Sequence, residues 1–194
     1  MPMRFLVNSL AGALCLVPLA ASAQSMTVIG GEATAQECYR AATLAVQLNI
    51  ASRGDLESCT FALDHAHLRI HDRAATYLNR GIVNAAIGEF DAAKKDYERA
   101  RRLAPEHGEI YVNRGNIFFL GQVYDKAVRE YTHALELDIA KKHVAHFNRA
   151  LAYEKLGEFG KAESDYLAAL ELAPEWEAAK TKLSRLREKQ ARDT

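Results

Sequence analysis

The sequence repeats itself, and that restricts its folds more than any other property. Tyr77–Ile82 (YLNRGI), Tyr111–Asn116 (YVNRGN) and His146–Leu151 (HFNRAL) share an Asn-Arg-small core at steps of 34 and then 35 residues. Other landmarks keep the same register. Phe90, Tyr124 and Phe159 recur with it, as do Ala93, Ala127 and Ala162, then Tyr97, Tyr131 and Tyr166, and finally Leu103, Leu137 and Leu172. Within each unit the apolar residues fall at helical spacing on either side of a turn such as Gly88-Glu89, so each unit reads as two amphipathic helices. The one-residue insertion falls at Lys141-Lys142, between units, where it costs little. Small residues at Gly81, Gly115 and Ala150 let helix backbones approach, and the rings fill what remains. A hairpin of this kind leaves one face bare, so the units must stack.

Numbered within the unit, the pattern is small at 8, aromatic at 17, alanine at 20, aromatic at 24, alanine at 27 and proline at 32 (Pro105 and Pro174, with Ile139 in the middle unit). It resembles the tetratricopeptide repeat (TPR) over about 100 residues in register. The resemblance implies an all-α, right-handed solenoid of antiparallel helix hairpins, with units at 73–107, 108–142 and 143–174. Departures are Asn84 and Phe118 at position 11, His146 at position 4, and Ile139. Subtracting 34 from the first unit's second helix gives Gly54, Leu56, Cys59, Leu63 and Ala66. A degenerate N-terminal unit is therefore expected over 34–72, with Ser52–Asp55 as a capping-box-like start. Residues 175–194 read as a polar C-terminal capping helix.

The N-terminus reads as a targeting segment. Met1–Arg4 is basic, Phe5–Ala20 is apolar, and Ala21-Ser22-Ala23 is a small-x-small cleavage site, so residues 1–23 read as a signal peptide and 24–33 as a flexible leader. Cys15 raises a lipoprotein alternative, but Leu14 stands where a lipobox needs a small residue. The expectation is an exported chain, periplasmic or secreted, with no integral membrane span after cleavage. Without Arg4, 24 Lys and Arg face 25 Asp and Glu. That near-neutral balance does not favour nucleic acid, which asks for a basic face.

Export alters the meaning of the cysteines. Cys38 and Cys59 form an even pair for an oxidising compartment and read as a structural disulfide rather than a redox or nucleophilic pair. A strict hairpin turning near Arg53 would place Cys38 roughly 13 Å beyond the residue facing Cys59. The bond therefore asks for a first helix that is short, starting at Thr34, with Val46–Ala51 irregular.

Few residues suggest chemistry. Asp64, His67 and His71 have helical spacing suited to a metal, but two histidines on one face at a helix end are also ordinary solvated residues. Gly160-Lys161 lacks both the following Ser/Thr and the leading Gly of a phosphate loop. No catalytic residue, cofactor or metal site is expected.

The repeated Asn-Arg divides in two. Arg80, Arg114 and Arg149 keep step with Asp96, Glu130 and Asp165, which predicts inter-helix ion pairs. By the resemblance, Asn79, Asn113 and Asn148 at position 6 point into the concave groove, where an asparagine row can clamp a peptide backbone; the alternative is a tolerated polar residue. Leu78, Val112 and Phe147 at position 5, Asn116 at position 9 and Phe119 at position 12 would line the same groove. The carboxylate clamp of chaperone-binding repeats wants Lys where Val112 stands, so an apolar or mixed segment suits better than an acidic tail. The expected function is a non-catalytic interaction module binding a peptide or partner helix. A self-associating structural protein is the alternative, and metal or redox binding through Asp64, His67 and His71 or the cysteines is a weaker third.

Overall fold

The computed structural model describes residues 32–48 and 50–192 of the 194-residue chain. The expected signal peptide and residues 24–31 of the expected leader lie outside the described residues. The described residues form helices and connections only: α1 (Glu32–Leu48), α2 (Asp55–His65), α3 (Ile70–Ala86), α4 (Phe90–Leu103), α5 (Gly108–Leu120), α6 (Tyr124–Glu136), α7 (Lys142–Leu156), α8 (Phe159–Leu172) and α9 (Glu177–Arg192). They pair as hairpins α1–α2, α3–α4, α5–α6 and α7–α8, each packed on the next, with α9 against α8. This is the all-α solenoid that the repeat predicts.

The small residues do what their position suggests. A Cβ added to Gly81 would come 2.4 Å from Tyr97 Cε1, and one at Gly115 would come 2.5 Å from Tyr131 Cε1. No side chain fits in those gaps, so glycine sets how closely α3 and α5 meet their partners. Tyr97, Tyr131 and Tyr166 are fully buried, and burial pushes each phenol well above its ordinary pKa. The alanines of the second helices, Ala93, Ala100, Ala127, Ala134, Ala162 and Ala169, are buried beside them.

The turns repeat too, with one exception. Gly88 and Gly157 take φ of +85° and +76°, and Gln122 stands at the same register with φ of 61°. Glycine adopts that conformation freely, whereas glutamine meets its own Cβ there.

The N-terminal hairpin corrects one expectation and keeps another. Cys38 and Cys59 are bonded, with Cα atoms 4.6 Å apart. Yet α1 is not short: it starts at Glu32, two residues before Thr34, and runs 17 residues to Leu48. Cys38 lies ten residues, about 15 Å, before the end of α1, and Cys59 only four residues, about 6 Å, into α2. Between Leu48 and Asp55 the chain therefore returns about 9 Å toward the bond, beside the last turns of α1 rather than beside α2, well within the reach of the residues between them. The expectation had assumed a tight turn. At its end, Asp55 Oδ2 accepts from the Ser52 backbone N–H at 2.7 Å and its hydroxyl at 2.8 Å, which is the acidic half of a capping box.

At the other end, Trp176 seals the stack. Its ring lies 4.6 Å from Phe147 and 5.3 Å from His143, and Ala179, Leu183 and Leu186 of α9 are buried behind it. The remaining surface of α9 is charged, as a solenoid end requires.

Candidate functional site: the asparagine row and its arginine frame

The arginines at position 7 are half-buried against the second helices and form the frame. Arg80 donates from Nε and Nη2 to Asp96 at 2.8 Å each, and Arg149 donates from the same atoms to Asp165 at 2.7 and 2.8 Å. These are bidentate, charge-assisted pairs. The third is looser. Arg114 Nη1 comes to 3.2 Å from Glu130 Oε2, which makes no aligned hydrogen bond. The extra methylene of glutamate carries the carboxylate past the fork that aspartate meets. Burial then pushes the Glu130 carboxyl above the ordinary glutamate pKa, and Arg114 only partly counters it. At Asp165 burial works in the same upward direction, but the hydrogen bonds from Arg149 and His146 overcome it and leave the pKa lowered.

Each arginine also reaches back to the preceding hairpin, a role the sequence reading did not foresee. Arg80 Nη1 donates to Thr60 on α2 at 3.2 Å, Arg149 Nη1 donates to Thr132 on α6 at 2.9 Å, and Arg114 Nη2 lies 3.9 Å from Glu98 on α4. The arginine is thus an inter-unit tie as well as an intra-unit one. Glu98 and Thr132 are 34 residues apart, so the register carried a signal for two of these partners. Other partners escaped it as well. Asn84 donates to Asp96 at 3.1 Å, and His146 Nδ1 sits 2.8 Å from Asp165, because a ring at position 4 reaches the carboxylate that Arg149 already holds.

The asparagines at position 6 lie on α3, α5 and α7, the first helices of their hairpins, which touch in succession. Asn79, Asn113 and Asn148 are buried, at 4%, 0% and 0% relative exposure. Their bonds differ. Asn113 Nδ2 donates to the Glu109 carbonyl of its own helix at 2.9 Å. Asn148 Nδ2 donates across the unit boundary to Asn116 Oδ1 at 3.0 Å, an oxygen that also accepts from Tyr131 Oη at 2.8 Å. Asn79 Oδ1 and Asn148 Oδ1 are buried and have no hydrogen-bond partner among the described residues. A buried carbonyl left so costs about 1–3 kcal/mol, which a donor brought to it would recover.

The flanking residues are more enclosed than an open groove implies. Leu78, Val112, Phe147 and Asn116 are buried, and Phe119 is half-buried. Leu78 and Val112 belong to the main core, while Phe147 packs on Trp176 and Tyr166. The weaker candidate, the metal trio, is not assembled. Asp64 lies near the end of α2, His67 in the connection after it and His71 in the first turn of α3, so the break at 66–69 removes their helical spacing. Cys38 and Cys59, the other weaker candidate, are tied in the disulfide.

Comparison with known proteins agrees with this architecture. Two profiles described as Tetratricopeptide repeat match residues 78–142 and 143–175, together about half of the chain. Hsp70-Hsp90 organizing protein 2 of Arabidopsis thaliana is 36% identical over 88 residues, covering 45% of this chain and 15% of that protein. The Lipoprotein NlpI homolog of Haemophilus influenzae is 28% identical over 96 residues, covering 50% of this chain and 30% of its own length. The chain thus spans less than a third of either relative. Among solved structures, the Arabidopsis OM64 TPR domain superposes with a TM-score of 0.59 at 25% identity, covering 62% of this chain and 98% of that domain. A MamA mutant shares the fold, with a TM-score of 0.58 at 19% identity over 82% of this chain and 89% of that one.

Proposed function

The chain belongs to the tetratricopeptide repeat family, and from that premise we propose that it is a non-catalytic scaffold that holds a peptide segment or helix of a partner protein against its first helices. The observation that carries this reading is the pair of buried amide oxygens on Asn79 and Asn148 that have no partner among the described residues. They recur at one repeat position, both are closed to solvent, and the backbone N–H groups of a bound segment are donors that would satisfy them once the side chains turn out from that cover. Recognition through backbone amides reads little side-chain identity, so shape and the apolar flanks set the choice of partner. The Arabidopsis relative carries Hsp70 and Hsp90 in its name, but Val112 in place of a clamp lysine argues for a different segment here.

Export to the cell envelope, in the periplasm or beyond it, belongs to the same proposal. The signal-like N-terminus supports it, as does the Cys38–Cys59 bond, since disulfides persist in oxidising compartments. The Haemophilus relative is by its name a lipoprotein, which accords with an envelope setting. No described helix is long and apolar enough to cross a membrane.

The test is Asn79→Ala. Removing a buried acceptor with no described partner should leave the melting temperature unchanged or slightly raised, yet capture of a partner from envelope extract should fall. Equal capture by wild type and variant would sink the asparagine reading. A second reading, self-association, is favoured by the exposed Leu44, Leu48, Ile50, Phe61 and Ile70 around the N-terminal hairpin. Light scattering of the purified chain distinguishes it.

A further inference from the structure

Outside the asparagine row, one cluster of side chains has the composition of a site. His71, in the first turn of α3, meets Glu106 and His107, which lie in the connection between α4 and α5. Glu106 Oε1 is 3.9 Å from His71 Nδ1 and 3.9 Å from His107 Nε2, and the three potential ligand atoms all lie within 4.8 Å of one another. The two imidazoles meet edge to face, with centroids 5.9 Å apart. This is the one group of three or more His, Cys, Asp or Glu in such proximity among the described residues.

We propose that His71, Glu106 and His107 form a transition-metal site of the Zn2+ class, with solvent completing the coordination. The donor set decides the metal. Two imidazoles and one carboxylate suit Zn2+, whereas Ca2+ and Mg2+ ask for mostly oxygen ligands. Soft thiolate is not on offer, since Cys38 and Cys59 are bonded to each other. Tetrahedral coordination with bonds of about 2.0–2.1 Å places ligand atoms about 3.3 Å apart. The observed 3.9 Å closes to that by small rotations, and His71 and Glu106 are exposed enough to make them. One feature opposes the site: His71 and His107 both stand at helix N-termini, where the dipole disfavours a cation by about 0.3–1 kcal/mol. The Glu106 carboxylate, placed between the two rings, offsets it.

Position gives the site a consequence. His71 begins one hairpin and His107 caps the first helix of the next, so a bound ion would tie α3 to the α4–α5 connection. Metal that binds only the folded chain raises its melting temperature by an amount that grows with the logarithm of the ion's excess over its dissociation constant.

Calorimetric titration of the metal-free, full-length chain with ZnCl2 tests this. One ion per chain is expected, with a rise in melting temperature. His71→Ala and His107→Ala should each weaken binding about tenfold or more, since loss of even an outer-shell partner of a ligand costs about 10–100-fold. Glu106→Gln should weaken it too, while His67→Ala, the exposed neighbour outside the cluster, should leave it unchanged. Circular dichroism of each variant confirms the fold, which changes at the exposed His71 and Glu106 and the half-buried His107 should not disturb. Wild-type binding that survives the double variant His71→Ala/His107→Ala, or no binding at micromolar Zn2+, overturns the proposal.

Discussion

One methylene separates the middle ion pair from its neighbours. Asp96 and Asp165 each meet their arginine through two aligned bonds, while Glu130 overshoots Arg114 and keeps a buried oxygen without a hydrogen bond. Glu130→Asp should therefore let Arg114 engage as Arg80 does and stabilise the chain by about 1 kcal/mol at neutral pH. The pH dependence has a definite sign. The folded-state pKa of Glu130 is raised, so its penalty is absent below the unfolded value and present once pH rises through the folded value. The gain from Glu130→Asp should shrink as pH falls toward 4.5 and below. Chemical denaturation of both proteins across that range measures it, and an equal gain at all pH values would remove the account. The pairing itself was legible in the sequence, because acids and arginines keep step over three units. Its quality was not, since register says nothing of how far a carboxylate reaches. Burial of Asn79, Asn113 and Asn148 was equally hidden, because one sequence position cannot say what covers it.

Among the elements, the α5–α6 hairpin carries a turn that its neighbours do not. Gln122 holds a left-handed backbone where the flanking hairpins have Gly88 and Gly157. Gln122→Gly should stabilise the chain by about 0.5–1 kcal/mol, the relief of Cβ strain being partly offset by the freedom glycine gives the unfolded chain. A rise in the denaturation midpoint at unchanged slope would bear this out; a fall would mean the glutamine side chain supports the turn. Helix existence and phase were readable throughout from apolar spacing. The length of α1 was not, because the inference from Cys38 to a short helix rested on the shape of a connection. Residues 50–54 have no periodicity to betray how the chain returns from α1 to α2. The histidines misled for a similar reason. Their spacing suits one helix, but the chain breaks that helix at 66–69, and His71 finds its neighbours more than thirty residues downstream.

At the scale of the whole molecule, stability in a solenoid is held between neighbours, so its ends yield first. The C-terminal end is closed by Trp176 and α9. The N-terminal end is held by the Cys38–Cys59 bond, by Arg73 donating to the Leu63 carbonyl at 2.9 Å, and by Arg80 reaching Thr60. A cross-link over 21 residues contributes about 3 kcal/mol by restricting the unfolded chain. Reduction should therefore remove hydrogen-exchange protection from α1 and α2 while α3 to α8 stay protected. Uniform loss across the chain would show that the hairpins melt as one body. The asparagines add a directional rule to the same picture. Asn148 finds Asn116 in the preceding unit, while the residue at the Asn116 register of the first unit is Ile82, which offers no amide. The units are consequently not interchangeable modules. A longer array made by copying the middle unit would give every new boundary an amide-to-amide link, and one made by copying the first would give none. Asn116 thus makes the boundary between the second and third units chemically different from the one before it, where Ile82 stands, by a hydrogen bond of about 1 kcal/mol.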